Sequence, residues 1–441
     1  MIDYESGEMR SFTSFVCRIR YPLVDLRYMQ VLSNVLLAGL VLLVSNPLLA
    51  QTPPVDSSEL SLLFIGDIMG HGSQIRSAHR PESDTYDYSG VFEYLQPELE
   101  AVDFAIANLE VTLAGPPFKG YPQFSSPDDL AVAARDHGID VLVTANNHSA
   151  DRRGPGIQRT IEVLDSLNIQ HTGTFVSAAE RRARNLLVLE KKGWRVGVLN
   201  YTFSTNGIPV PDPYIVNMLD REQMREDIRL AQRDSLDQLV VFVHWGREYE
   251  HQPYSTQTSL ASYLLDLGVD LVIGAHPHVL QPMAWEKRGA QDQVVVYSLG
   301  NFVSNQRDPG RDGGGMFEVT LARQDGRVVV KEAGYHLIWV YKRYEGGKLH
   351  FHVVPGARFE HRPEFFVTEG AWDQFQEFMR SSRRLLDTYN YRIGEYRYYG
   401  GLRYNTRGPL LPLPRTDILL MQAPPALKKL LGSAMDASNF R

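Results

Sequence analysis

"LVIGAHPHVL", residues 271–280, opens as a strand meant for burial and then sets His276 and His278 on either side of Pro277. In an extended chain residues i and i+2 point the same way. A proline also biases the residue before it away from the helical region. The stretch is therefore expected to stay extended and to present two imidazoles side by side toward one point. Two such groups at the end of an apolar strand call for further donors nearby.

Working outward, the same pattern recurs from Ser61 onward: a short apolar run, a polar cluster at its C-terminal end, then a helical segment. The expected strands are "SLLFIGD" (61–67), "DFAIANLE" (103–110), "DVLVTANNH" (140–148), "RVGVLNY" (195–201), "LVVFVHWG" (239–246), "LVIGAHPH" (271–278) and "VVVYSLGN" (294–301). Most are continuously apolar, as strands buried on both faces are. Four helical segments fall between them. One is "SPDDLAVAARDHG", with Ser126 as expected N-cap and Gly138 as stop; the others are "GPGIQRTIEVLDSLN", "DREQMREDIRLAQRD" and "TQTSLASYLLDLG". Alternating strands and helices give an α/β layered domain. After Asn301 the pattern changes to antiparallel strands, "GGMFEVTL" and "RVVVKEAGYHLIWVYKR". Residues 356–441 hold one amphipathic helix, "EGAWDQFQEFMRSSRRLLDT", and a Tyr/Arg-rich tail expected to pack on the main domain.

Ligands of such sheets bind outside the carboxyl ends of the strands. Those ends carry Asp67, Asn108 with Glu110, Asn146–Asn147–His148, His244, His276 with His278, and Asn301. Asp, Glu, Asn and His gathered on six strand ends point to a metal site. Imidazole nitrogens with carboxylate and amide oxygens suit Mn, Fe or Zn, and the single cysteine, Cys17, rules out a thiolate site. The arrangement suits two cations that activate a water between them. Around these donors Asp151 is expected to support His148, and Arg152 and Arg153 to meet an anionic substrate. Trp245 and Glu248 are candidates for a substrate pocket, Trp245 equally for the core.

The order Asp…Glu…Asn-His…His…His-x-His resembles the calcineurin-like metallophosphoesterases. More closely, "GDIMGHG", "ANLEVTL", "TANNHSADRRGPGI", "VHWGREYE", "GAHPHVLQPM" and "YSLGNF" resemble the CapA family, associated with poly-γ-glutamate capsule synthesis, over roughly residues 61–305. The resemblance implies an α/β/β/α metallophosphatase-like sandwich. It also implies a metal set of Asp67, Glu110, Asn147, His244, His276 and His278, with His148 protonating a leaving group or holding a phosphate. Two departures matter. Met69 stands where phosphoesterases have a first-metal His, with His71 as a possible substitute. The bridging acid also follows "ANL" rather than Gly. Together they imply one cation rather than two. The implied substrate is an acidic polymer or a phosphate ester, handled beside membrane-associated capsule synthesis proteins, by catalysis or by a non-catalytic accessory role.

The rest of the chain bounds this reading. Its 441 residues, 43% hydrophobic and 22% charged, are ordinary globular material. A net charge of −7 without a basic stripe excludes a general nucleic-acid binder. The run 31–50 carries no charge, follows Arg18, Arg20 and Arg27, and ends on Ala50. It reads as an export signal cleaved after about Ala50, or as an anchor. The expected organisation is residues 1–50 as signal or anchor, 51–60 as linker, 61–355 as the CapA/metallophosphatase-like domain and 356–441 as a C-terminal extension.

Overall fold

The computed structural model describes residues 58–399 and 401–407. The apolar run 31–50, most of the linker and the end of the C-terminal extension lie outside the described residues. Within them, the apolar runs form two sheets. The first has a parallel core of β1 (Glu59–Ile68), β2 (Phe104–Leu109), β3 (Val141–Val143) and β4 (Gln170–Thr172). The second contains β5 (Leu187–Lys191), β6 (Trp194–Thr202), β7 (Gln238–His244), β8 (Leu271–Ala275), β9 (Met283–Arg288) and β10 (Gln291–Val296), in the order β9-β10-β8-β7-β6-β5. Here β6, β7, β8 and β10 are parallel, and the two edge strands are antiparallel.

The chain then returns to the first sheet. β11 (Asn301–Val303) pairs parallel with the end of β1, and β12 (Gly313–Gln324) pairs antiparallel along it. β13 (Arg327–Glu345) folds back on β12 through Asp325–Gly326, both at positive φ, as an Asp-Gly hairpin turn requires. β14 (Lys348–Pro355) continues the meander.

Helices cover the outer faces: α1 (Gly72–Ala78), α2 (Asp129–Asp136) and α3 (Arg153–Ser166), then α4 (Arg221–Ala231) and α5 (Ser255–Asp266). Alternation along each strand assigns the layers. Leu62 and Phe64 of β1 share an apolar cluster with Val240 and Phe242 of β7, so the sheets face each other. Leu63 and Ile65 instead pack with Leu130 of α2 and Leu164 of α3. Val241 and Val243 pack with Ile228 of α4 and Leu264 of α5. The result is the expected α/β/β/α sandwich, with both sets of parallel strands running toward one end.

Four local expectations are corrected. The strand drawn over 140–148 stops at Val143, so Asn146, Asn147 and His148 stand in a turn. The strand over 294–301 breaks after Val296, and Asn301 opens β11 in the other sheet. The helix expected from Ser126 begins at Asp129; the Ser126 hydroxyl caps nothing and is buried without a partner. The strand over 271–278 ends at Ala275, and neither His276 (φ +100°) nor His278 (φ +56°) is extended. The proline bias is overridden because the chain must turn out of the sheet at that point.

The C-terminal extension is less irregular than its sequence suggests. α6 (Glu369–Tyr389) is capped by Thr368 and lays Phe375, Phe378 and Met379 into the cluster holding Trp339. β15 (Gly394–Tyr399) then pairs parallel with β13, and β16 (Leu402–Asn405) pairs antiparallel with β15. Among the described residues no helix is long and apolar enough to cross a membrane.

Candidate metal centre

The site is assembled where the two sheets end together. Gly66 makes this possible, because a Cβ there would meet the Gly300 carbonyl at 2.1 Å. That close approach seats Asp67 against β11, with its N–H on the Gly300 carbonyl at 3.1 Å. From the second sheet, the His276 N–H reaches an Asp67 carboxylate oxygen at 3.4 Å.

Two groups of three donors result, and they share Glu110. One is Asp67, Glu110 and His278; the other is Glu110, His244 and His276. His278 Nδ1 lies 3.1 Å from Asp67, and His278 Nε2 lies 3.6 Å from Glu110 Oε1. His244 Nε2 lies 3.5 Å from the same Glu110 oxygen, 3.2 Å from His276 Nδ1 and 2.7 Å from Asn147 Oδ1. The two imidazoles of the opening stretch are therefore not side by side on one point. Positive φ at both residues turns them to different groups, with ring centroids 6.0 Å apart. Left-handed backbone at a non-glycine residue costs about 1–3 kcal/mol and persists where the surroundings demand it.

Electrostatics fit a cation. Asp67 and Glu110 are fully buried, and both Glu110 oxygens lack a hydrogen-bond partner. Burial, and then the Asp67 charge beside it, push the Glu110 carboxyl well above its usual range. Burial likewise holds His244 and His276 well below theirs, which keeps them neutral with lone pairs free. Around His244 Nε2 converge an imidazole nitrogen, an amide oxygen and a carboxylate oxygen, more lone pairs than one shared proton can satisfy. A buried charge left so is costly. The donor set is of the kind that could hold a divalent cation.

The remaining polar residues orient the donors. Asn108 Nδ2 donates to Asp67 at 2.8 Å and lies 3.3 Å from His244 Nδ1. Asn301 Oδ1 lies 3.0 Å from His278 Nδ1, and its amide donates to the Arg311 carbonyl. Asn146 braces the turn, donating to the Leu109 carbonyl and accepting from the His148 N–H. His148 Nδ1 is 2.8 Å from Asp151, which also accepts the Phe124 N–H, and the Phe124 ring meets His148 edge-on at 4.6 Å.

Other candidates lie outside this arrangement. Met69 is buried in the apolar cluster under the first sheet. His71 belongs to neither group; its Nδ1 faces the Asn305 N–H and Gln74, and burial lowers its pKa to about 4. Trp245 is buried, with Nε1 on the Tyr297 carbonyl. Glu248 is exposed at the rim, close enough to help raise Glu110. Arg152 is half-buried, with Nε and one terminal nitrogen unpartnered, and Arg153 is exposed at φ +55°.

Two neighbours escaped sequence reasoning. Asn206 accepts from Asn147 Nδ2 at 3.3 Å, and the Phe203 ring lies 4.6 Å from that of His276. Both follow β6, whose end "YTFSTN" was the signal available.

The chain is 28% identical over 262 residues to the "Capsule biosynthesis protein CapA" of Bacillus anthracis, covering 57% of this chain and 61% of that protein. The chain thus spans less than two thirds of that relative's length. It is 28% identical over 303 residues to the "PGA biosynthesis protein CapA" of Bacillus subtilis, covering 62% and 74%. A solved calcineurin-like phosphoesterase of Bacillus subtilis aligns over 74% of this chain and 98% of its own, at 14% identity and a TM-score of 0.42. Residues 61–306, over half of the chain, match the family described as "Bacterial capsule synthesis protein PGA_cap", and the chain belongs to that family.

Proposed function

We propose that this chain serves the synthesis or export of an acidic capsule polymer through a two-cation, phosphoesterase-like hydrolytic centre. The observation that carries this is Glu110, buried, unpartnered and common to two donor groups. Asp67, Glu110 and His278 would hold one cation; Glu110, Asn147, His244 and His276 the other. Bound there, a divalent cation supplies Lewis-acid polarisation of a substrate oxygen. His148 would contribute the proton as an imidazolium: Asp151 accepts its Nδ1–H and holds the ring, and the Nε2–H passes to a leaving oxygen, leaving a neutral imidazole. Asn108 and Asn301 hold Asp67 and His278 in place. The substrate is an acidic polymer, as the capsule and PGA names of the relatives suggest, or a phosphate ester, which the same donor groups would suit. Membrane-associated capsule synthesis proteins are the partners, and the uncharged run 31–50 exports or anchors the domain. A reporter fused after residue 60 should appear outside the cytoplasm; a cytoplasmic reporter sinks the export reading.

The test of the centre is elemental analysis of the purified chain and of His276→Ala, followed by a phosphoester screen. About two equivalents, falling in the variant, support it; no metal in either overturns it. Asp151→Asn should then lower turnover about ten- to a hundredfold with metal content unchanged. A second reading keeps the cations but not the turnover, as an accessory that grips carboxylates. Met69, which puts an apolar side chain where a donor is expected, favours it. Full metal with no turnover on any ester would select it.

A further inference from the structure

The mouth of the centre is bordered by aromatic rings from three separate loops, each seated against a site imidazole. The Phe203 ring, after β6, lies 4.6 Å from that of His276. The Tyr249 ring, in the turn after β7, lies 6.3 Å from that of His278. Phe124, in the loop between β2 and α2, lies 4.6 Å from His148, and the Tyr121 ring meets Phe124 edge-on at 6.4 Å. Two of these four are tyrosines open to solvent: Tyr121 is 73% and Tyr249 37% exposed. They also lie near one another, since Tyr121 is among the groups that help raise the Tyr249 hydroxyl, after burial and Glu248.

Both tyrosines are presented by braced backbone. The loop of Tyr121 is closed by two backbone bonds between Lys119 and Ser125, at 2.9 and 2.8 Å. At Gly120 a Cβ would meet the Gly72 nitrogen at 2.3 Å, so the chain beside Tyr121 sits directly on the start of α1. The Phe124 N–H donates to the same Asp151 oxygen that faces His148 Nδ1. The loop carrying Tyr121 is thus tied to the residue that would donate the proton. Tyr249 is fixed by its N–H on the Pro277 carbonyl at 2.7 Å, and the Arg311 guanidinium lies over its ring at 3.4 Å. Aromatic rings attract other rings, offset-stacked or edge to face. Two exposed rings on the proton-donor side of the centre, with their hydroxyls and Glu248 as a polar rim, suit a leaving group that is itself a ring rather than a flexible chain.

We propose that the centre takes a phosphate ester whose alcohol carries a ring, and that Tyr121 and Tyr249 bind this ring beside His148. The proposal rests on the phosphoesterase reading of the centre given above. Water adds to phosphorus and the P–O bond to the alcohol breaks. The alcohol leaves with the Nε2 proton of His148, and the proton lost by the water restores it. The test is calorimetric binding of three phosphonates to the full purified chain with its metal content measured. Phenylphosphonate offers an aromatic ring, cyclohexylphosphonate a saturated ring as in a sugar, and methylphosphonate no ring. The same series is run on Tyr121→Ala, on Tyr249→Ala and on Tyr344→Ala, whose ring is 73% exposed on β13. A ring-bearing phosphonate should bind wild type about three- to tenfold more tightly than methylphosphonate. Either variant at 121 or 249 should lose most of that advantage, and Tyr344→Ala should keep it. Phenyl above cyclohexyl assigns an aromatic alcohol, and the reverse a sugar-like one. In a chain that holds its metal, three results overturn the ring site and leave the cation centre intact: no advantage over methylphosphonate, an advantage that survives either substitution, or an equal loss in Tyr344→Ala. A tyrosine-dependent ring advantage in a chain without metal would do the reverse.

Discussion

Two sets of buried acids sit in this molecule under opposite conditions. In the C-terminal extension Glu395 is fully buried, yet it accepts from Arg383 at 2.8 Å and from Arg397 at 2.7 Å. On β12, across β13 from it, Glu318 is held by His336 at 2.9 Å and by Arg403. At the strand ends Asp67 and Glu110 are equally buried, but among the described residues no Lys or Arg pairs with either. Their neighbours are neutral imidazoles and amides. Buried charge persists in a fold only when it is compensated. The extension carries its own cations and is finished by folding. The strand ends gather carboxylates and lone pairs with no Lys or Arg among the described residues to meet them.

The comparison can be broken at either side. The largest effect is expected from Arg383→Ala, which leaves Glu395 to Arg397 alone and takes the arginine from Glu360, and should cost about 1.5–3 kcal/mol of stability in denaturant titration. A loss under about 1 kcal/mol would mean the extension is not held by this pair. Glu110→Gln should behave differently. It should strip bound metal, while the metal-free variant stays within about 1 kcal/mol of metal-free wild type or exceeds it, because an uncompensated charge has gone. A loss as large as that of Arg383→Ala would make Glu110 a structural acid and end the contrast.

The smallest effect concerns pH. Burial alone would raise Glu318, but His336 and Arg403 outweigh it and hold the carboxyl below its ordinary value of 4.5. A depressed folded pKa contributes stability above the unfolded value, and that stability is lost as pH falls through the folded one. Acid unfolding followed below about pH 4.5 should therefore be shallower in Glu318→Gln than in wild type. Superimposable profiles would remove Glu318 from the comparison.

Much of this was legible in the residues. Continuous apolar runs identified the doubly covered strands, and Asp67, Glu110, His244 and the 276–278 pair were visible as donors at their ends. Less legible was everything that depends on a turn. Asn146–His148 read as strand because "DVLVTANNH" stays extended-compatible until its polar end. Phe203 and Asn206 were missed because β6 ends in no charged or imidazole group. Met69 was read as emptying one cation position, yet Asp67, Glu110 and His278 still supply three donors there.

The sequence by itself determined which chemical groups reach the strand ends, since burial and periodicity are local and a donor after an apolar run has nowhere else to stand. Only the tertiary structure decided which donors meet. Asp67 and His276 touch across a separation of 209 residues, from two different sheets. Glu110 became the shared acid because the sheets end against each other there. His276 and His278 went to separate groups because left-handed backbone at both residues turned them apart, a conformation imposed by packing against the local preference of the chain.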